Sequence, residues 1–462
     1  MEDSPPQLED LWPCFQGIIP AALSTCSQDG TPNITFISQV YYVDATHVAI
    51  SHQFFNKTHR NVRENPLACA MMLDPRTLQA HRLYLRYQHS ESSGPLFESM
   101  SLQLQAIASH AGMTDVFKLR AADVYEVLRI ERVNGFTRLP APPPSERPSR
   151  LFVDQDLESL RLFAERLNRA ELLDGLLETS LQLLDELFGF RHSMILLADE
   201  RHAKLFTIAS HGYSEHGVGS EVGIGEGLIG MVARAGRALR LSAIDHSLRY
   251  ARAVRDRAEA AAGAEAVCRE IPLPGLPGAA GQIAVPLVAR NRLIGVLAVE
   301  SSEPLAFMAR EDTILTIIAA QLAAGIEQRS RDIEESPSST LARTTPARAA
   351  GPSPLSRHFC FFHRDDCVFV DGDYLIRNVP GRILWRLLTQ QRDEGRSEFT
   401  NRELRMDSWL GLPEIKDNLE CRLILLRKRM EQKCPEVRLV PRGRGRFALE
   451  TDVAIELSER ET

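Results

Sequence analysis

At 462 residues, 44% hydrophobic and 25% charged, the chain has the composition of globular protein and is too long for one ordinary core, so about three domains are expected. Its net charge of -7 excludes nonspecific nucleic-acid binding by the molecule as a whole but leaves room for a local basic face. The opening Met1-Glu2-Asp3-Ser4-Pro5-Pro6 lacks the basic and apolar regions of an export signal. The longest apolar stretch, 314–326, is broken by Thr316 and Gln321 and falls short of the roughly 20 residues that cross a bilayer, so a cytoplasmic protein with no membrane span is expected. Eight cysteines show neither CxxC nor Cys/His spacing of the zinc type, which points to reduced thiols and no metal site.

In chain order, strand-like runs cover 17–25 and 33–40 around the turn signal Gln28-Asp29-Gly30-Thr31, and 47–51 makes a third strand. Residues 53–66 then read as a short helix opened by Lys57-Thr58, followed by the apolar run Leu67 to Leu73. An ammonium, a hydroxyl and free N–H groups at a helix start suit a phosphate. A Pro-rich segment at 140–145 and a Ser/Thr/Pro/Ala-rich one at 336–354 read as linkers. The divisions are 1–140, 150–330, a disordered linker over 331–356, and 357–462.

The second division opens with a long amphipathic pattern running from Leu157 to Leu187. Strand-like runs at 193–198, 205–210, 283–288 and 293–300 follow, and a helix over 311–328 closes it, giving an α+β core between long helices. Gly225-Glu226-Gly227-Leu228-Ile229-Gly230 is a literal GxGxxG with Asp245 twenty residues beyond Gly225. The run before it, Glu221 to Ile224, is too short and polar for a buried parallel strand, and the helix after it ends early at Gly236, which weighs against a dinucleotide site. His202, His211, His216 and His246 form no helical i, i+4 pair and read as ordinary histidines.

In the last division, short strands at 367–370 and 374–376 precede a helix over 381–391. A shorter helix follows, with Thr400 as N-cap and Glu403 in the capping-box position. A third spans 413–433, with Leu419, Leu423, Leu426 and Met430 as its buried stripe. That leaves Arg422, Arg427, Lys428 and Arg429 for phosphates and base edges. Arg442-Gly443-Arg444-Gly445-Arg446-Phe447 then reads as the tip of a cationic hairpin. Between Lys416 and Arg446 ten basic residues face four acidic ones.

Over about 355–450 this pattern resembles the OmpR/PhoB-type winged-helix domain. The resemblance implies a recognition helix carrying Arg422, Arg427, Lys428 and Arg429 in the major groove of double-stranded DNA. It also implies a wing placing Arg442, Arg444 and Arg446 on the backbone. Ile424 and Leu425 depart from the family's polar or basic pattern and suit either thymine methyl groups or a protein partner. Residues 223–239 and 283–300 resemble GAF sensor domains over about 170–330, which implies an antiparallel sheet with a pocket for an unidentified small ligand. The sequence His47 to Asp74, with Asn61-Val62-Arg63-Glu64-Asn65-Pro66, resembles the FMN-binding split β-barrel of the pyridoxamine phosphate oxidase superfamily over about 12–138. That resemblance implies FMN at a dimer interface, its phosphate on Lys57 and Thr58 and its edge beside Thr35 and Ser51, with Tyr84 to Met113 as an insertion.

The reading is a multidomain, homodimeric transcription regulator: an N-terminal split β-barrel, a central α+β GAF domain flanked by long helices, and a C-terminal winged helix. Ligand or flavin redox state would set DNA binding, with no catalytic residue assigned. The alternative is an FMN-dependent oxidoreductase with appended regulatory domains.

Overall fold

The computed structural model describes residues 6–37, 39–52, 56–110, 119–134, 150–199, 203–214, 217–242, 271–334, 356–364, 366–412, 419–443 and 445–460. The first unit is a seven-stranded, curled antiparallel sheet in the order β2-β1-β5-β6-β7-β4-β3. Its strands are β1 (Ala21–Cys26), β2 (Pro32–Ile37), β3 (Val40–Tyr42), β4 (His47–His52), β5 (Leu67–Leu73), β6 (Ala80–Glu91) and β7 (Ala121–Arg132). Burial along β1 alternates strictly, as a half-buried strand requires, and places Leu23 in a core with Ile37, Val48, Ile50, Ala70, Leu83 and Tyr125. A 3-10 helix, Leu8–Gln16, closes one end by burying Leu8, Leu11 and Phe15. Helix α1 (Asn56–Glu64) lies over the mouth of the sheet and buries Thr58, Asn61 and Val62.

The stretch expected as an insertion divides in two. Residues 84–91 continue β6, paired with β7, and only the following helix α2 (Pro95–His110) leaves the sheet. This helix reaches the second unit, where Ala106 joins a core cluster with Met194, Leu196, Val232 and Ala298.

The second unit is a six-stranded antiparallel sheet in the order β10-β9-β8-β13-β12-β11. It comprises β8 (His192–Asp199), β9 (Lys204–His211), β10 (Glu221–Gly223), β11 (Leu239–Ser242), β12 (Gly281–Ala289) and β13 (Arg292–Ser301). Helices α3 (Arg150–Asn168), α4 (Leu173–Phe188) and α6 (Ala309–Glu334) cover one face, and α5 (Gly227–Ala235) covers the other together with α2. The last of these long helices runs to Glu334 and the next strand starts at Ser356, so both ends of the expected 331–356 linker are ordered and 335–355 lies outside the described residues.

The glycines of the GxGxxG motif have a structural purpose. Gly225 N–H donates to Gly230 O at 2.7 Å, folding the turn back onto the helix, and a Cβ on Gly230 would stand 2.1 Å from Gly223 O. Close backbone approach, rather than a pyrophosphate, accounts for this spacing; Asp245 lies outside the described residues.

The last unit has two sheets around three helices. Strands β14 (Ser356–Phe362), β15 (Cys367–Val370), β16 (Asp373–Ile376) and β20 (Ala454–Arg460) form one, in the order β16-β15-β14-β20, with β20 parallel to β14. Strands β17 (Glu398–Thr400), β18 (Val437–Pro441) and β19 (Arg446–Thr451) form the other. Between them lie α7 (Asn378–Glu394), α8 (Asn401–Met406) and α9 (Leu419–Lys433). The capping box forms as expected: Glu403 N–H donates to Thr400 Oγ1 at 3.2 Å, and Thr400 N–H to Glu403 Oε2 at 3.0 Å. Residues 413–418, expected as the start of the third helix, lie outside the described residues. No helix among the described residues is long and apolar enough to cross a membrane.

Gly230→Ala should destabilise the protein by roughly 1–3 kcal/mol through overpacking. Gly175→Ala, in the first turn of α4 with open space around the added Cβ, should be neutral or stabilise by up to about 1 kcal/mol. Chemical denaturation of both variants checks the contrast, and equal effects would remove the close-approach explanation.

Candidate functional site

Two places in the chain gather the residues singled out by the sequence. At the mouth of the first sheet, Asn33 Nδ2 donates to Thr58 Oγ1 at 3.0 Å and to Thr25 Oγ1 at 3.2 Å, and Asn61 Nδ2 donates to Thr25 Oγ1 at 3.2 Å. Cross-strand pairing places Asn33 opposite Thr25 and Thr35 opposite Leu23, so Thr35 stands two residues along the same face of β2 as Asn33. Lys57 is exposed in the first turn of α1, beside buried Thr58.

Three of the four expected cofactor residues, Thr35, Lys57 and Thr58, therefore share this end of the sheet. Ser51 does not. Side chains alternate along β4, with Val48 and Ile50 in the main core and Ala49 in the cluster of Tyr41, Met100 and Ala122. Ser51 lies on the Ala49 side, and it is the next residue, His52, that turns toward α1, stacking on His59.

The second place is the seam between the second and last units, where α9 lies against α4 and β9. Here the expected DNA-contacting side chains are engaged within the chain. Arg427 Nη1 and Lys428 Nζ reach the two carboxylate oxygens of Asp174 at 3.3 and 3.2 Å, and Lys428 Nζ also meets Glu178 Oε1 at 3.0 Å. Arg422, 6% exposed, faces Asp199 at 3.8 Å. Arg429, also 6% exposed, donates from Nε to Leu375 O at 3.0 Å, and burial lowers the pKa of its guanidinium.

The expectation that α9 offers these four cations to solvent is thus corrected. The helix has a neighbour on either flank, its own unit on one and α4 with β9 on the other, so little of it is left for groove contact. Ile424 and Leu425 are buried too, and a Cβ on Gly219 would stand 3.5 Å from Leu425 Cδ1, so the protein partner for this departure from the family pattern lies in the same chain. Of the hairpin arginines, Arg442 is exposed and pairs with Glu450, Arg446 lines a crevice with Arg427, Glu171 and Asp174, and Arg444 lies outside the described residues.

A further pair ties the same units together. Arg377 Nε and Nη2 donate to the two oxygens of Glu221 at 3.1 and 2.7 Å, while Lys204 Nζ donates to the same carboxylate at 2.8 Å. Burial alone would raise the Glu221 pKa, but the hydrogen bonds from Arg377 and Lys204 outweigh it and hold the carboxyl below its usual range.

Residues 10–128 match the family described as pyridoxamine 5'-phosphate oxidase, and residues 170–327 match the GAF domain family. The chain carries a pyridoxamine 5'-phosphate oxidase-like domain followed by a GAF domain. No curated protein matches it.

Among solved structures, the GAF domain from an Acinetobacter phosphoenolpyruvate-protein phosphotransferase is 23% identical, covering 38% of this chain and 94% of that one, with a TM-score of 0.30. Free methionine-R-sulfoxide reductase from Neisseria meningitidis is 18% identical over 38% and 91% of the two chains, with a TM-score of 0.30. An FMN-binding protein from Syntrophomonas wolfei subsp. wolfei is 19% identical over 27% and 87%, with a TM-score of 0.23. Likenesses of this size carry no further conclusion.

The donor set at α1 fits the phosphate end of a flavin nucleotide: the exposed ammonium of Lys57, the neighbouring Thr58 and the N–H groups of the first helical turn. Ser51 lies on the opposite face of β4 from His52, away from this donor set. Of the four histidines considered as ligands in the GAF domain, His211 pairs with Asp185 at 3.0 Å, and His202, His216 and His246 lie outside the described residues. Missed in the sequence were Asn33 and Asn61, which order the barrel mouth, and Asp174 and Glu178, whose i, i+4 spacing was a visible sign of an acidic helix face.

Two outcomes are expected. Thr58→Val should cost about 1–2 kcal/mol by removing the acceptor for Asn33, whereas Lys57→Ala should stay within roughly 0.5 kcal/mol of wild type; urea midpoints decide. Because the folded-state pKa of Glu221 is depressed, its contribution is complete above ~4.3 and is lost as pH falls below that value. Glu221→Gln should therefore lower stability at pH 7, with the gap from wild type closing in acid. A gap independent of pH would show that the ion pair contributes nothing.

Proposed function

We propose that this protein is a sensor-regulator whose C-terminal unit binds double-stranded DNA as a winged helix and is held closed by its GAF domain. The observation that carries this reading is the seam itself. Three of the four cations of α9 that the resemblance assigns to DNA, Arg422, Arg427 and Lys428, are paired with Asp199, Asp174 and Glu178 of the GAF domain. Carboxylates in those positions occupy the place of phosphates. The element order of the last unit supports the reading, with a sheet, three helices and a hairpin in the sequence that the winged-helix family uses.

In the closed arrangement α9 cannot enter a major groove, so DNA binding requires the last unit to separate from α4 and β9. A signal achieves this only by favouring the open arrangement over the closed one. The GAF domain would take a small-molecule ligand. The barrel would take FMN, with Lys57 and the first turn of α1 on its phosphate and Thr58 beside it; bound flavin would supply redox chemistry to the sensor. Ile34 and Phe36, 69% and 73% exposed on the outer face of edge strand β2, support a homodimer formed through the barrel. Two output units would then face a two-fold DNA site.

Asp174→Asn and Glu178→Gln together should weaken the seam by about 1–2 kcal/mol, between the values for exposed and buried pairs, and raise DNA affinity roughly 5–30-fold. Fluorescence anisotropy with fragments selected from random duplexes reads the change. Unaltered affinity in a folded double variant would reject control through the seam. Failure of wild type and variant alike to retain any duplex would reject DNA as the partner.

A further inference from the structure

The barrel mouth holds a cluster of ligand-type side chains that the regulator reading leaves unused. His52 ends β4, Asp123 stands on the neighbouring strand β7, and His59 comes down from α1. The register pairs Ile50 with Asp123 and His52 with Ala121, so His52 and Asp123 share one face of the sheet, two residues apart. A nitrogen of each imidazole and a carboxylate oxygen of Asp123 lie within 4.8 Å of one another. His59 Nδ1 is 3.2 Å from Asp123 Oδ2, a separation suited to two ligands on one ion with bonds of roughly 2.0–2.2 Å.

Two features mark this as more than a chance meeting. Nε2 of His52 is buried with no hydrogen-bond partner among the described residues, a situation that costs about 1–3 kcal/mol unless something else binds there. Asp123, in turn, is held from behind. Its Oδ1 accepts from Ser90 Oγ at 2.5 Å, Ser90 Oγ shares a hydrogen bond with Tyr87 OH at 2.7 Å, and the Tyr87 ring packs edge-on against His59 at 6.4 Å. Outer partners of this kind orient ligands in metal centres.

We propose that His52, His59 and Asp123 bind one divalent first-row transition-metal ion, with further coordination positions open to water or an anion. Two imidazoles and one carboxylate favour Zn2+, Fe2+, Co2+ or Ni2+ over Mg2+ and Ca2+, which take oxygen ligands. The two rings are stacked at 4.2 Å and lie 17° from parallel, so one ion cannot sit in both ring planes. Capture therefore requires one ring to turn. His59, 22% exposed at the rim, has the room to do so.

The test uses the full chain, treated with chelator and titrated with Co2+ by visible absorption, then with Zn2+ as competitor. One tight equivalent is expected. His59→Gln and Asp123→Asn should each weaken binding at least tenfold, while His211→Gln, which alters the remote pair with Asp185, should leave it unchanged. Asp123 is buried and its variant is the one at risk of misfolding. Zinc-edge X-ray absorption of the wild-type protein therefore gives an independent reading, with imidazole and oxygen scattering expected and no sulfur. Less than one equivalent bound, a sulfur-containing shell, or wild-type affinity in a folded His59→Gln protein would each overturn the site.

Discussion

Asp174 is the charge on which the relation between the GAF domain and the last unit depends. Its carboxylate sits at the start of α4 and takes Arg427 on one oxygen and Lys428 on the other. Asp174, at 25% side-chain exposure, with Arg427 at 16% and Lys428 at 14%, is largely withdrawn from water, so neither cation can leave without exposing an unpaired charge to a poorly solvating surface. The apolar contacts around it give no such selectivity. Buried residues run without interruption from Leu173 and Leu176 on α4 to Leu423 and Leu426 on α9, and hydrophobic burial alone would tolerate many orientations. The ion pairs choose one of them. Glu221 with Arg377 adds a second fixed point, and two fixed points define a hinge axis where one would permit rotation.

Much of the fold was legible because its signals are local. The Gly30 turn, the Thr400 capping box and the Leu419, Leu423, Leu426, Met430 stripe each depend on residues a few positions apart and appear where they were expected, while the runs expected at 17–25 and 33–40 became β1 over 21–26 and β2 over 32–37, with Val40 opening β3 at the far edge of the sheet. What escaped depends on distance along the chain. Strand β20 pairs with β14 across about a hundred residues, and no periodicity in either announces the other. The continuation of β6 through Tyr84 to Glu91 was hidden because its outer half is exposed and polar, and such a stretch reads as an insertion.

The same division holds for the candidate sites. Lys57 and Thr58 were readable, being adjacent at a helix start. Ser51 and its neighbour His52 lie on opposite faces of β4, and it is His52 that turns toward α1. Surface charge on α9 was readable as composition but not as exposure. Arg427 and Lys428 differ from solvated arginines and lysines only through what packs on them, and their partner Asp174 lies some 250 residues upstream. A basic helix whose carboxylate partners are built into the same chain looks, from sequence, the same as one left open to solvent.

The parallel pairing of β14 with β20 gives the last unit a mechanical character. The chain enters the unit at Ser356, directly after the segment that follows α6, and its final strand lies alongside in the same direction over seven paired residues. A pull delivered along β14 from the sensor side loads all of those pairs at once, as in a lap joint, and does not peel them one after another. Trp385 and His363 add side-chain ties to Glu459 within the same overlap. A load applied at Ser356 would therefore be shared by the whole overlap, which ties the two ends of the unit together.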